Sequence, residues 1–253
     1  MTPSGPLLLA GGGHSHALLL KRWAMTPQLR PKRGVVLVNR HPTALYSGMV
    51  PGLIAGIYRR DELSINLPHL CDRAGVAFVQ AEIVGVDSQR QDLLLHQRPA
   101  LSFGVLSLDV GAVTRNLEHL SGVPIKPLEE ALQFLSQQDP EDPQPFRIVG
   151  AGPAGIEVAL ALRRRWPHRA LELQIRAGQL NATTKSILRR AHIHCVTDAS
   201  THASLLCTGS RAPSWLANSG FAVDHNGRVL TNSFLQLEGY SHLFASGDCA
   251  VME

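Results

Sequence analysis

Residues 146–162 read FRIVGAGPAGIEVALAL. An apolar run (Phe146, Ile148, Val149) enters a turn with glycines at 150, 152 and 155. It leaves on a helical pattern that carries Ile156, Val158, Ala159 and Leu162 toward a core. G-x-G-x-x-G between a strand and a helix is the setting in which this motif predicts a dinucleotide site. A diphosphate then lies against backbone N–H groups at a helix start, where about half a positive charge is presented. Gly150, Gly152, Pro153, Ala154 and Gly155 are therefore candidate cofactor contacts. A side chain at Gly150 or Gly152 would block the approach, and Gly155 lets the helix pack closely. The plainer reading of the same letters is a glycine-rich turn in an ordinary α/β domain.

The same grammar occurs earlier, in LLLAGGGHSHALLL at residues 7–20, with Gly11, Gly13, His14 and Ser15 at the turn. Two such turns suggest two dinucleotides, the arrangement needed to pass electrons between a nicotinamide and a flavin. Two residues depart from the pattern. His16 stands where the third glycine belongs, and an imidazole there costs about 1–3 kcal/mol by overpacking if the helix sits as close as usual. The helix is thus expected to stand off, or the histidine to point at a ligand; His14 is either a cofactor contact or a satisfied polar residue. The strand 34–39 (GVVLVN) ends on Asn39 and Arg40 where a dinucleotide fold has an acidic ribose ligand. Asn39 can still hydrogen-bond a ribose, without the charge.

A chain of 253 residues, 44% hydrophobic and 17% charged, can hold one large domain or two ordinary ones around a sizeable core. No apolar run approaches the ~20 residues of a membrane span. The short run at residues 7–10 ends in a glycine turn and does not read as a signal peptide, so a cytoplasmic location is expected. The net charge of +4 is mild, and its clusters (Arg163 to Arg165, Arg189, Arg190) sit at helix-like ends. With 5% aromatics, this favours a solvated face over a nucleic-acid surface. Cys71, Cys195, Cys207 and Cys249 form no closely spaced pair, so neither a metal site nor a local redox disulfide is supported.

Along the chain, LYSGMVPGLIAG (45–56) places apolar residues in a glycine- and proline-marked loop. Ser47, Met49, Val50 and Pro51 make sense against a flat aromatic ligand, and otherwise as a helix-capping loop on the core. A helix over 67–74 stops at Gly75. The runs VAFVQ, EIVGVD, DLLLH and VLSLD predict a return strand and a small antiparallel meander; Ile83, in the second run, is placed with the cofactor-binding set. A Pro-containing link at 123–127 marks a domain boundary near 123. Past the second turn, LELQIR (171–176) ends on Arg176, which suits a 2′-phosphate and leans toward NADPH. Such a charged hydrogen bond is worth about 1.5–3 kcal/mol. The alternative is an arginine that only faces solvent. The strand candidates at 191–196 and 204–207 are few for a complete half-Rossmann unit.

Taken together, GGGHSHA, LYSGMVPGLIAG, GAGPAGIEVALAL and LFASGDCA resemble the two-dinucleotide-binding flavoprotein superfamily, the pyridine nucleotide-disulfide oxidoreductases in the broad sense. The likeness is strongest to type II NADH dehydrogenase-like proteins and to the oxidoreductase portion joined to selenide, water dikinase in some bacteria. It implies an α/β fold with two Rossmann-like domains, the NAD(P) domain inserted in the FAD domain, and a small antiparallel meander. The FAD domain would span 1–122 and 211–253, and a shortened NAD(P) insert 123–210. By the same likeness the first turn holds the FAD diphosphate, with Gly247 and Asp248 near the flavin's ribityl chain. Gly111 falls on one connector motif, Thr208 and Gly209 on the other, and Glu157 lies near the nicotinamide–flavin contact. The Cys-x-x-x-x-Cys of the disulfide reductases is absent, so electrons are expected to leave from the flavin itself. The chain ends just after the Gly-Asp motif, where relatives continue into a C-terminal interface domain. The function implied is an FAD-dependent NAD(P)H oxidoreductase with a small-molecule acceptor, a quinone among the candidates. The alternative is a low-turnover nucleotide-binding module that regulates or scaffolds a selenide, water dikinase partner. A homo-oligomer stays open in either case.

Overall fold

The computed structural model describes residues 4–115, 120–198 and 202–252, in two units that each form around a parallel sheet. The first unit comprises Met1–Ala44, Ser64–Ala112 and Arg211–Glu253, the second Leu45–Leu63 and Val113–Ser210.

In the first unit the strands run, edge to edge, Leu243–Ala245, Val105–Leu108, Leu7–Ala10, Val35–Asn39 and Ala77–Gln80, every neighbour parallel. The chain starts in the middle, winds two strands one way, and returns to the other side. This puts a topological switch point between Leu7–Ala10 and Val105–Leu108, where open α/β sheets bind ligands at the strand ends. Continuous apolar runs form these strands because both faces are covered; Leu8, Leu9, Ala10, Leu37 and Val38 are buried. The His14–Met25 helix buries Ala17, Leu20 and Trp23. The helix at Leu67–Ala74 starts under Asn66, whose Oδ1 accepts the His69 N–H at 3.0 Å, and stops at Gly75 with φ +65°.

The meander is Ile83–Asp87, Asp92–Leu95 and Arg98–Ser102, antiparallel. VLSLD is no part of it: Val105–Leu108 is a central parallel strand, and the third meander strand is RPALS.

The second sheet runs Ser121–Pro124, His202–Leu206, Phe146–Val149, Leu171–Gln174 and Ile193–Val196, again all parallel. From Phe146–Val149 onward the winding repeats that of the first, with the outer strand Ser121–Pro124 coming before it in the chain, so the switch point lies between Phe146–Val149 and His202–Leu206. Ser121–Pro124 overlaps the start of the stretch expected as a link, 123–127. It pairs with His202–Leu206, so the division falls at Ala112/Val113 instead of near 123. Among the described residues, no further strand separates Ile193–Val196 from His202–Leu206. The Leu171–Gln174 strand ends two residues before Arg176. No helix among the described residues is long and apolar enough to cross a membrane. The cysteines are free thiols, buried except for Cys195.

Candidate functional site

The second glycine turn opens on a cavity of about 750 Å³. The Pro153–Arg165 helix begins there with proline in its first turn and no N-cap side chain on its free N–H groups. Each glycine answers to a different neighbour. A Cβ at Gly150 would lie 2.3 Å from the Cys207 carbonyl oxygen, so the adjoining strand end already demands that glycine, which also lines the cavity. A Cβ at Gly155 would lie 1.8 Å from the Gly150 carbonyl oxygen, which is the close helix packing expected. A Cβ at Gly152 would meet nothing within 4 Å. Gly152 is thus the glycine that faces open space.

Pro153, Ala154, Thr208 and Gly209 also line this cavity, as do Arg115, Lys126 and Arg176. The Arg176 N–H donates to Gln179 Oε1 at 2.9 Å, which pins the turn after the strand. The Thr208 hydroxyl donates to the Arg115 carbonyl, and the Arg115 N–H to Gly209 O at 2.9 Å. Three cationic residues, free helix N–H groups and an unobstructed Gly152 are the donor set a nicotinamide dinucleotide needs. Burial pushes the Cys207 thiol up to about 12, which leaves it protonated and inert at neutral pH.

The first turn matches the second in its backbone. A Cβ at Gly11 would lie 2.3 Å from the Asp109 carbonyl oxygen, and the Asp109 N–H donates to Ala10 O at 2.8 Å. The corresponding bond in the second unit runs from the Cys207 N–H to Val149 O at 2.7 Å, so Asp109 and Cys207 hold equivalent positions. Their side chains differ in consequence. Asp109 Oδ2 accepts the N–H of Ser15 at 2.8 Å and of His16 at 3.3 Å, capping the helix from outside it. A Cβ at Gly13 would fall 2.1 Å from Asp109 Oδ1, and one at Gly247 2.5 Å from it.

His16 neither leaves a gap nor aims at a ligand. It is buried, with Nδ1 2.7 Å from Gly11 O and Nε2 2.8 Å from Ser107 Oγ. A carbonyl can only accept, so Nδ1 carries the proton and Nε2 accepts from the serine hydroxyl in the neutral ring. Burial lowers the His16 pKa against the pull of Asp109, and burial raises that of Asp109 against the pull of His16 and the helix N–H groups. The place at the helix start therefore suits an anion, and in this chain Asp109 supplies one. The donor set fits a flavin nucleotide's diphosphate once that carboxylate gives way.

Other candidates distribute as follows. His14 and Ser15 are exposed at the helix start, and Asp248 is exposed in the turn Gly247–Cys249. Together with Gly11, Gly13, Asn39 and Gly111 they lie at the strand ends of the first sheet. Asn39 is spent on the turn: its Oδ1 accepts the Gly12 N–H and its Nδ2 donates to His41 O, both at 2.8 Å. Arg40 is exposed, and Ile83 packs half-buried on the first core. Val50 is buried in the second unit's core and Met49 packs against it, the core-packed alternative for these two side chains; Ser47 is exposed and Pro51 half-buried. Glu157 is exposed and is the fifth residue of its helix, so it lies past the first turn and gains little from the dipole. Asp109 was not among the sequence candidates. Its only signal is an acid closing an apolar strand just before Gly111.

No family model matches the chain. Mouse "Ferroptosis suppressor protein 1" is 26% identical over 218 residues, 68% of this chain and 57% of the relative. "Demethylphylloquinone reductase NdbB" of Synechocystis sp. is 25% identical over 298 residues, 99% of this chain and 73% of the relative. Among solved structures, an engineered water-forming NADPH oxidase bound to NADPH superposes with a TM-score of 0.81 at 15% identity, covering 97% of this chain and 62% of that one. The chain thus spans little more than half the length of the mouse relative. Its fold is that of the pyridine nucleotide-disulfide oxidoreductases in the broad sense.

Proposed function

We propose, from the two-dinucleotide flavoprotein fold that this chain has, that it is an FAD-dependent NAD(P)H oxidoreductase. The observation that carries the reading is the pair of glycine turns, each at the switch point of its own parallel sheet. A bound flavin would take hydride from the nicotinamide and hand electrons on to an acceptor. The chain's own share is binding and orientation. The helix N–H groups after Gly152 would hold the nicotinamide dinucleotide's diphosphate, with Arg115, Lys126 and Arg176 adding positive charge. Gly11, Gly13, Ser15 and Asp248 would hold the flavin nucleotide, and Glu157 would stand toward the nicotinamide. A quinone is the proposed acceptor class, one relative being named for reducing demethylphylloquinone. A cytoplasmic location is part of the same reading. The test is the visible absorption spectrum before and after anaerobic NADPH: flavin bands that bleach support it, and a colourless protein that takes up no FAD ends it.

NADPH is favoured over NADH because Arg176 follows the second strand of the nucleotide unit at the cavity rim, where a 2′-phosphate would lie. The engineered oxidase that binds NADPH carries an aspartate-to-alanine and an alanine-to-arginine change among its substitutions. Arg176→Glu is expected to weaken NADPH relative to NADH by roughly 10- to 100-fold, the equivalent of one charged hydrogen bond. An unchanged ratio of the two dissociation constants would remove Arg176 from the site.

One observation favours the low-turnover part of a second reading, a nucleotide-binding module that turns over little. Asp109 already occupies the anion position of the first turn. Steady NADPH oxidation with an artificial acceptor would dispose of that reading.

A further inference from the structure

The two turns share backbone, register and helix, and they differ in what reaches the helix start. At the second, the residue beside the turn is Cys207, and Gly152 opens on a cavity. At the first, the equivalent residue is Asp109, whose carboxylate takes two helix N–H groups and fills the space beside Gly13 and Gly247. The first turn satisfies the positive end of its helix with the chain itself, and the second leaves that end open to the cavity.

We propose that Asp109 is the resident anion of the first turn, and that it takes up a proton when a dinucleotide's diphosphate replaces it on the Ser15 and His16 N–H groups. The proposal rests on the reading of this turn as the flavin site. Its physical basis is confinement. Asp109 is 3% exposed and pressed between Gly13 and Gly247, so an ionised carboxylate stays within hydrogen-bond range of the arriving phosphates. Like charges so close disfavour ionisation, and a second anion raises the carboxyl further than burial already does. Once protonated, the carboxyl becomes a donor and turns from a competitor into a partner of a phosphate oxygen.

Among the described residues, the other titratable groups acting on Asp109 come from two elements. The helix offers His14 and His16, both of which pull the carboxyl pKa down; His16 is itself held by Gly11 and Ser107. The Gly247–Cys249 turn offers Cys249, whose thiol burial pushes up to about 11 and which is therefore neutral across the working range. Free protein holds the proton less tightly than bound protein, so binding strengthens as pH falls, by up to about tenfold per pH unit for one proton.

The test is FAD titration of the purified full chain from about pH 5.5 to 8.5, by calorimetry in two buffers of different ionisation heat. The unaltered protein is expected to bind FAD progressively more weakly as pH rises and to take up as much as one proton per FAD. Asp109→Asn keeps an oxygen for the helix N–H groups without the charge. It is expected to bind FAD at least about tenfold more tightly at the alkaline end, with the proton uptake lost. Equal affinity, equal pH dependence and no proton uptake in the two proteins would overturn the role of Asp109 while leaving the flavin site standing. Failure of both proteins to bind FAD at any pH would overturn the flavin reading, and the proposal with it. If the variant does not fold, proton uptake that persists in His14→Gln, which removes the exposed imidazole from the turn, supports Asp109, and its loss there overturns the proposal.

Discussion

Gly155→Ala should destabilise the second unit by up to about 2 kcal/mol, the net of a clash and a helix gain. The added methyl would sit 1.8 Å from the Gly150 carbonyl oxygen, far inside contact distance and against a backbone atom that cannot rotate away. Overpacking of this kind costs about 1–3 kcal/mol, and more where nothing yields. Against it stands the gain of about 1 kcal/mol from replacing glycine inside a helix. The clash wins unless the helix moves. Urea denaturation would show it as a lower midpoint at unchanged slope. The first turn shows what moving requires: there a residue with a Cβ, His16, occupies the same place, and its ring returns a hydrogen bond to the Gly11 carbonyl. Alanine returns nothing. An unchanged midpoint would mean that the Pro153–Arg165 helix can slide outward freely and that its close packing is not enforced.

Much of this architecture could be read from local pattern. Each strand–turn–helix is a continuous segment whose signals lie within about twenty residues, the range over which periodicity and glycine spacing carry information. Val35–Asn39 and the Leu67–Ala74 helix were legible for the same reason, one as an unbroken apolar run and the other by its stop at Gly75. What escaped depends on partners far along the chain. Ser121–Pro124 is four residues with glycine and proline among them, and it is a strand only because His202–Leu206 offers an edge. Arg98–Ser102 is mostly exposed, so no alternation marks it. The site shows the same limit. His16 and Asp109 each look like an isolated departure, and their relation appears only when the fold joins residues 93 apart in sequence. Spacing also assigned the glycines too uniformly: both Gly150 and Gly152 line the cavity, but only Gly150 is in addition required by the Cys207 carbonyl.

That division of labour among the glycines gives the sharpest separation of binding from folding. Gly152→Asp is expected to leave the second unit as stable as before, or firmer by a few tenths of a kcal/mol, because its φ of −72° and ψ of 176° suit any residue. Aspartate is moreover a preferred residue just before a helix. The same carboxylate would cap the helix start and carry negative charge into the space a diphosphate needs. Nucleotide affinity should then fall by about 100-fold or more, since a favourable charged contact of about 1.5–3 kcal/mol is replaced by repulsion. Denaturation midpoint and NADPH titration measured on one preparation check both halves. Lost stability would show that the turn cannot carry a side chain, and retained affinity would place the dinucleotide elsewhere. The variant would install at the second turn what Asp109 supplies at the first, a resident anion on the helix N–H groups. The two turns would then differ mainly in backbone clearance. If nucleotide binding in Gly152→Asp also strengthened as pH fell, carboxylate competition for a helix start would be a property of the turn itself, and Asp109 its naturally occurring case.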